Sequence, residues 1–66
     1  MRNILEEIAE KYEISYRTIA RQIDYDIAMV SRVKNRQQKM STQMAYNIHK
    51  VYGYDLDDIL EVERNA

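Results

Sequence analysis

The sequence predicts an all-α domain of five short helices, and three observations support that prediction. Apolar residues recur every three or four positions along the 66-residue chain, which is the spacing of one helical face. Short polar residues that suit helix N-caps stand directly before several of these stretches. No stretch shows the strict alternation typical of a strand. The predicted helices cover about residues 4–12, 16–23, 26–35, 42–52 and 56–62 of a single domain, residues 1–66.

The first two predicted helices each begin after a capping residue. Asn3 suits the N-cap of the first helix. The apolar stripe of that helix is expected to consist of Ile4, Leu5, Ile8 and Tyr12. Ser15 is the expected N-cap of the second helix. The buried face of the second helix is expected to hold Ile19, Ala20 and Ile23.

A turn at residues 24–26 separates the second helix from the third. A sharp turn between helices needs one residue with positive φ, normally Gly. Asp24 is expected to take that conformation, which Asp tolerates better than most residues. Asp26 is the expected N-cap of the third helix. Val30 and Val33 lie three positions apart and are expected to face the core.

The last two predicted helices are separated by Gly53, the only Gly of the chain. Ser41 or Thr42 is expected to cap the fourth helix. Its apolar stripe is expected to comprise Met44, Ala45, Ile48, Val51 and Tyr52. Gly53 stands where a left-handed residue commonly ends a helix. Asp55 is expected to cap the fifth helix, whose apolar residues are Leu56, Ile59 and Leu60.

Charge is segregated along the chain although its net value is only −1. Residues 17–50 carry seven Lys and Arg against two Asp, a net charge of +5. Residues 1–16 carry −2 and residues 51–66 carry −4. Because an anion responds to the field within about 8–10 Å, the local excess matters more than the total. The central segment is therefore expected to face an anionic partner.

The outer face of the third helix is the strongest candidate for a binding surface. The residues that share this face at 100° per residue are Ile27, Ala28, Ser31, Arg32 and Asn35. A basic run ends the helix and continues beyond it to Lys39. A helix with one side in a core and the other flanked by cations has the form of a recognition helix in a DNA groove. Residues 16–35 therefore indicate a helix-turn-helix.

In its joint spacing the chain resembles the phage repressor and Cro-like helix-turn-helix proteins, also called the xenobiotic-response-element family, over about residues 4–60. The matching elements are Ile14-Ser15, Ile19-Ala20, Ile23, Tyr25, Val30, Val33 and the string VYGYDLDDIL at 51–60. The resemblance implies a compact five-helix, lambda-repressor-like domain with the second and third helices as the motif. Family members often carry Gln, Ser, Thr or Arg at the base-reading positions, where this chain has Ile27 and Ala28.

Two sets of residues are assigned to DNA. The expected base contacts are Ile27, Ala28, Ser31, Arg32 and Asn35. Among these, Arg32 could pair with guanine, while the two apolar residues could touch thymine methyl groups. The expected contacts to the DNA backbone are Ser15, Tyr16, Arg17, Lys34, Arg36 and Lys39. The alternative for Arg32 is a phosphate contact or a surface cation, and the alternative for Ile27 and Ala28 is an exposed apolar patch that binds protein. For the other residues the alternative is a solvated surface side chain.

These features predict a sequence-specific, DNA-binding transcriptional regulator, repressor- or Cro-like, that binds a roughly palindromic operator in double-stranded DNA as a homodimer. The expected dimer interface comprises Leu56, Ile59, Leu60 and Val62. An alternative stays open, in which the same fold binds a regulatory protein, as an antirepressor or an antitoxin-like partner would. The overall acidity and the apolar start of the third helix favour that alternative.

Other functional classes find no support in the sequence. Cys is absent and His49 is the single His, so neither a thiolate site nor a histidine cluster for metal can form. No nucleophile–base pair or glycine-rich phosphate loop occurs, and neither enzymatic activity nor a cofactor is expected. No apolar run approaches the roughly 18 residues of a membrane span. A cytoplasmic protein is expected.

Overall fold

A computed structural model of the chain describes residues 3–65, with side chains described for residues 3–60. This part of the chain is all-helical. Five α-helices follow one another in the order α1 (Ile4–Tyr12), α2 (Tyr16–Gln22), α3 (Ile27–Lys34), α4 (Thr42–Tyr52) and α5 (Leu56–Asn65). Helix α2 packs against α3 and α1, while α5 packs against α4 and α1. None of the helices in residues 3–65 has the length and apolar character needed to cross a bilayer.

The observed bounds of α1 and α4 agree with the expected ones, while those of α2, α3 and α5 differ by one to three residues. Ile23 lies after α2 as its C-cap, with φ −90° and ψ 4°. Asp26 precedes α3 as its N-cap in an extended conformation, and its carboxylate accepts a hydrogen bond from the Ala28 N–H at 3.1 Å. Asn35 likewise lies just beyond α3 as the C-cap. Helix α5 is longer than expected and ends at Asn65 rather than near residue 62.

Besides Asp26, three other expected N-caps are confirmed by their hydrogen bonds. The side chain of Asn3 accepts from the Glu6 N–H at 3.0 Å, and Ser15 accepts from the Thr18 N–H at 3.2 Å. At the start of α4 the capping residue is Ser41, whose hydroxyl accepts from the Met44 N–H at 3.1 Å. Each of these bonds satisfies an N–H in the first turn that has no partner within its own helix.

A residue with positive φ follows each of the first four helices, one or two positions after its last residue. Two of these were expected, Asp24 at 57° and Gly53 at 78°. The other two, Glu13 at 54° and Arg36 at 62°, were not. After Asp24, the Tyr25 N–H donates to the Ala20 carbonyl at 2.8 Å, which closes the 6→1 hydrogen bond of a Schellman motif. The turn after α2 therefore uses a left-handed Asp in the place that Gly usually occupies.

All five helices contribute side chains to one apolar core. Its members are each 3% exposed or less: Ile4, Leu5, Ile8, Ile19, Ala20, Ile23, Val30, Val33, Met44, Ala45, Ile48 and Ile59. Three further residues of the expected apolar faces are half-buried against this core: Tyr52, Leu56 and Leu60. Two others are exposed, Tyr12 at 43% and Val51 at 46%. Both of these lie in the last turn of their helix.

Asn3 is the one buried polar side chain among the residues described, with 1% of its surface exposed. Its amide nitrogen donates to the carbonyls of Val33 at 3.2 Å and Lys34 at 3.1 Å. These carbonyls belong to the last turn of α3, where they have no partner within the helix. One side chain thus caps the beginning of α1 and the end of α3 together.

The left-handed turn at Asp24 predicts the effect of one substitution. Asp24→Gly should be neutral or stabilising by up to about 1 kcal/mol, because Gly adopts positive φ without steric cost. Asp24→Ala, which is strained at the same φ, should be less stable than Asp24→Gly by about 1 kcal/mol. Urea unfolding of the three proteins measures both differences. A marked loss of stability in Asp24→Gly would contradict the left-handed assignment.

The double role of Asn3 predicts a second effect. Asn3→Asp keeps a side-chain oxygen for capping but removes the donor and points a carboxylate at two carbonyl oxygens. We expect this change to lower the free energy of unfolding by about 2 kcal/mol or more. The control is Asn35→Asp, the same chemical change at an exposed position, which should cost under about 1 kcal/mol. Equal stabilities of the two variants in urea would show that the bonds to α3 contribute nothing.

Candidate nucleic-acid interface

The inner face of α3 is fixed by two valines. Val30 is 0% exposed and Val33 is 1% exposed, which confirms the expected orientation of the helix. All of the residues expected to contact bases lie on the outer face and are exposed: Ile27, Ala28, Ser31, Arg32 and Asn35. No other part of the described chain covers this face, which is therefore accessible to a partner.

The start of α3 is both apolar and acidic. Ile27 is 41% exposed, although it is a large hydrophobic side chain, and Ala28 beside it is exposed as well. The carboxylate of Asp26 lies directly before them. These side chains cannot donate hydrogen bonds to base edges, so donors on this face come from further along the helix. The candidates are Ser31, Arg32 and Asn35.

The residues expected to contact the DNA backbone lie in three places. Ser15 and Tyr16 are at the start of α2, with Arg17 exposed in its first turn. Ser15 is already engaged, since its hydroxyl lies 3.0 Å from that of Thr18 besides capping the helix. Lys34, the last residue of α3, contacts the first residue of α2, since its ammonium lies 4.9 Å from the centre of the Tyr16 ring. This cation–π contact joins the end of α3 to the start of α2.

The remaining cations lie after α3. Arg36 and Lys39 are exposed in the segment that connects α3 to α4. Neither these two nor Arg17 and Arg32 form an ion pair with a carboxylate of residues 3–60. Their charges are thus not neutralised by neighbours in that part of the chain. Unpaired cations around an exposed helix face make a suitable surface for phosphate groups.

A Schellman motif shapes this connecting segment. The Arg36 N–H donates to the Val33 carbonyl at 3.1 Å, and the Gln37 N–H donates to the Arg32 carbonyl at 2.8 Å. Because Arg36 is left-handed, the chain reverses direction immediately after α3. The reversal brings Gln38 back to Met29, nine residues earlier in the chain. Sequence reasoning missed this contact, since no Gly marks the reversal.

Two polar side chains contact the sulfur of Met29. The Arg32 guanidinium nitrogen Nη1 lies 3.5 Å from the Met29 sulfur, and the Gln38 amide nitrogen lies 3.7 Å from it. Met29 itself is half-buried and packs against the core. The outer end of this side chain therefore connects the recognition-helix candidate with the segment that follows it.

The residues expected to form a dimer interface are divided by the fold. Ile59 is 0% exposed within the single chain, so its side chain belongs to the core and cannot form an exposed seam. Leu56 and Leu60 are half-buried and pack against that core. Val62 lies in α5, but its side chain is outside the described residues. Leu56 and Leu60 are thus the described members that a partner could still contact.

Two features outside this surface have a structural explanation. His49 is half-buried, and its Nδ1 donates to the Tyr54 carbonyl at 2.6 Å. Tyr52 stacks on Tyr12 with 5.3 Å between ring centres, and its hydroxyl donates to Gln22. Burial, and to a lesser degree the nearby Tyr12, raise the pKa of Tyr52 above the usual value for a tyrosine. Within the described residues, no three His, Asp or Glu side chains are grouped so that they could hold a metal ion.

Comparison of the chain with protein-family models, with curated proteins and with solved structures found no match. The assignment of a function therefore depends on the geometry and the charges of the surface itself.

Proposed function

We propose that this protein is a sequence-specific regulator of transcription that binds double-stranded DNA through the outer face of α3. The observation that carries the proposal is the division of α3 into two faces. Val30 and Val33 are buried, while the face that bears Arg32 is exposed in the part of the chain that the structure describes. A helix held in this way can enter the major groove without disturbing the core that supports it.

The arrangement of α2 and α3 supports a helix-turn-helix of the lambda-repressor type. The two helices pack against each other and are joined by residues 23–26, with the reversal at left-handed Asp24. In such a motif the first helix lies across the DNA backbone while the second reads the bases. Tyr16 and Arg17 at the start of α2, and Arg36 and Lys39 after α3, would then approach phosphates of the DNA backbone.

Electrostatics supports the same surface. Four exposed cations lie on α3 or on the elements directly next to it in the chain, and they are not paired with carboxylates of residues 3–60: Arg17, Arg32, Arg36 and Lys39. Lys34 is half-buried beside Tyr16 and adds a further positive charge at the end of the helix. Neutralising phosphates releases condensed counterions, which supplies most of the sequence-independent affinity for DNA.

The protein would act as a cytoplasmic homodimer on a roughly palindromic operator. A twofold dimer places its two recognition helices about 34 Å apart, one turn of the duplex. Leu56, Leu60 and Val62 of α5 are the proposed contacts between the subunits. Binding at an operator would then regulate transcription by excluding polymerase.

A second candidate function is the binding of a regulatory protein through the same surface. The observation that favours it is the start of α3, where Ile27 is 41% exposed next to the carboxylate of Asp26. An exposed apolar residue contributes more to a protein interface than to a DNA interface. An acidic group in the same place opposes the approach of phosphate.

A salt series separates the two functions. Affinity for a random-sequence duplex should fall between about 50 and 200 mM salt with a log–log slope near −4.5, as expected if about five phosphates are neutralised. Combined replacement of Arg36 and Lys39 by Ala should make the slope less steep by about 2. Replacement of Lys50, an exposed cation of α4, should leave it unchanged. Absence of duplex binding at about 50 mM salt would favour the protein-binding function.

Arg32 is the side chain expected to discriminate between base pairs. Arg32→Ala should reduce the preference for the selected operator over random duplex by about 1–3 kcal/mol. The thermal unfolding midpoint should stay unchanged because the side chain is exposed. Competition binding with both duplexes measures the preference. An equal loss of affinity for the two duplexes would identify Arg32 as a contact to phosphate instead.

A further inference from the structure

The contact of Arg32 and Gln38 with one sulfur atom has a consequence for base recognition. We propose that Gln38 is a second specificity-determining residue, which reads a base next to the one that Arg32 reads, and that Met29 positions both side chains. The inference rests on the proposed DNA-binding function and adds to it a residue that lies outside the helices.

Gln38 reaches the surface because of the backbone at Arg36. The left-handed residue and the two hydrogen bonds of the Schellman motif fold residues 36–38 back along α3. The amide of Gln38 thereby arrives 3.7 Å from the Met29 sulfur, on the side of α3 that also carries Arg32. A flexible loop would present this amide in many directions, whereas the observed turn presents it in one.

The chemistry of the two head groups matches base edges. Arg can donate two hydrogen bonds to O6 and N7 of guanine, and Gln can form a bidentate pair with N6 and N7 of adenine. Nη1 of Arg32 and Nε2 of Gln38 lie 3.5 and 3.7 Å from the same sulfur, so their separation cannot exceed the total of these two distances. That limit corresponds to roughly two base-pair steps, since successive pairs are about 3.4 Å apart. Arg32 and Gln38 can therefore reach neighbouring base pairs.

A thioether suits this positioning role. It accepts hydrogen bonds weakly, so it can orient two donors without satisfying them. Both head groups are exposed and remain available to stronger acceptors on base edges. Met29 is itself held because it packs against the core. Side chains that are already oriented lose less conformational freedom when they bind, and this raises affinity for the correct bases.

The test uses the full-length protein and a randomised duplex library, from which the preferred operator is selected for the wild type and for each variant. In Gln38→Ala, the preference for the correct base at one operator position should fall by about fivefold or more. Its affinity for random duplex should stay the same. Met29→Leu, which keeps the apolar volume but removes the sulfur, should weaken the preference at the positions of both Arg32 and Gln38 by about two- to tenfold. Gln37→Ala is the matched control, an exposed Gln next to Gln38, and should select the wild-type operator.

The outcomes distinguish the two levels of the proposal. The inference is supported if Gln38→Ala loses the base preference at one operator position and that position is next to the one at which Arg32→Ala loses it. Selection of the unchanged operator by Gln38→Ala overturns it and leaves the proposed function standing. An unchanged operator for Met29→Leu overturns the positioning role of the sulfur. If the wild-type protein selects no duplex at all, both the inference and the proposed function are wrong.

Discussion

The side chain of Asn3 joins the start of α1 to the end of α3, the helix that carries the candidate surface. Its oxygen caps α1, and its amide nitrogen bonds to the last carbonyls of α3 at 3.2 and 3.1 Å. Burial of a polar group costs free energy unless the group is fully hydrogen-bonded. The observed relative position of α1 and α3 is the one that satisfies the hydrogen bonds of Asn3. Val30 and Val33 fix the rotation of α3, and Asn3 fixes the position of its C-terminal end. The outer face of α3 is thus presented in a defined direction.

The surface depends equally on how the helices end. Asp24 and Arg36 are left-handed residues at the two ends of the segment that contains α3. The first reverses the chain between α2 and α3, which pack against each other, and the second brings Gln38 back to Met29. Neither residue is Gly, so each reversal carries some steric cost that tertiary packing must offset. The positive charges of the chain are concentrated in its central segment, residues 17–50, which includes both turns, although the net charge of the whole chain is −1.

Local signals in the sequence were sufficient for much of the fold. The caps at Asn3 and Ser15 and the left-handed Gly53 depend on chemistry within one turn of the residue, and they were predicted. The left-handed conformation of Arg36 was not predicted, because its positive φ is imposed by packing and not by residue type. The contact between Gln38 and Met29 depends on that conformation and was missed as well. Val51, expected in the core but exposed, and Ile59, expected at a dimer interface but buried, show a second limit of prediction from sequence. Helical periodicity identifies an apolar face, but it does not show whether that face meets the core of the same chain or the solvent.

The proposed DNA-binding surface consists of the outer face of α3 and the cations beside it. Titration of the ¹⁵N-labelled protein with a random-sequence duplex, with the backbone amide resonances followed by NMR, locates the residues that meet the duplex. We expect the largest shifts in residues 15–17, 27–35 and 36–39. Shifts confined to α1 and α5, or no shift at low salt, would contradict this proposal.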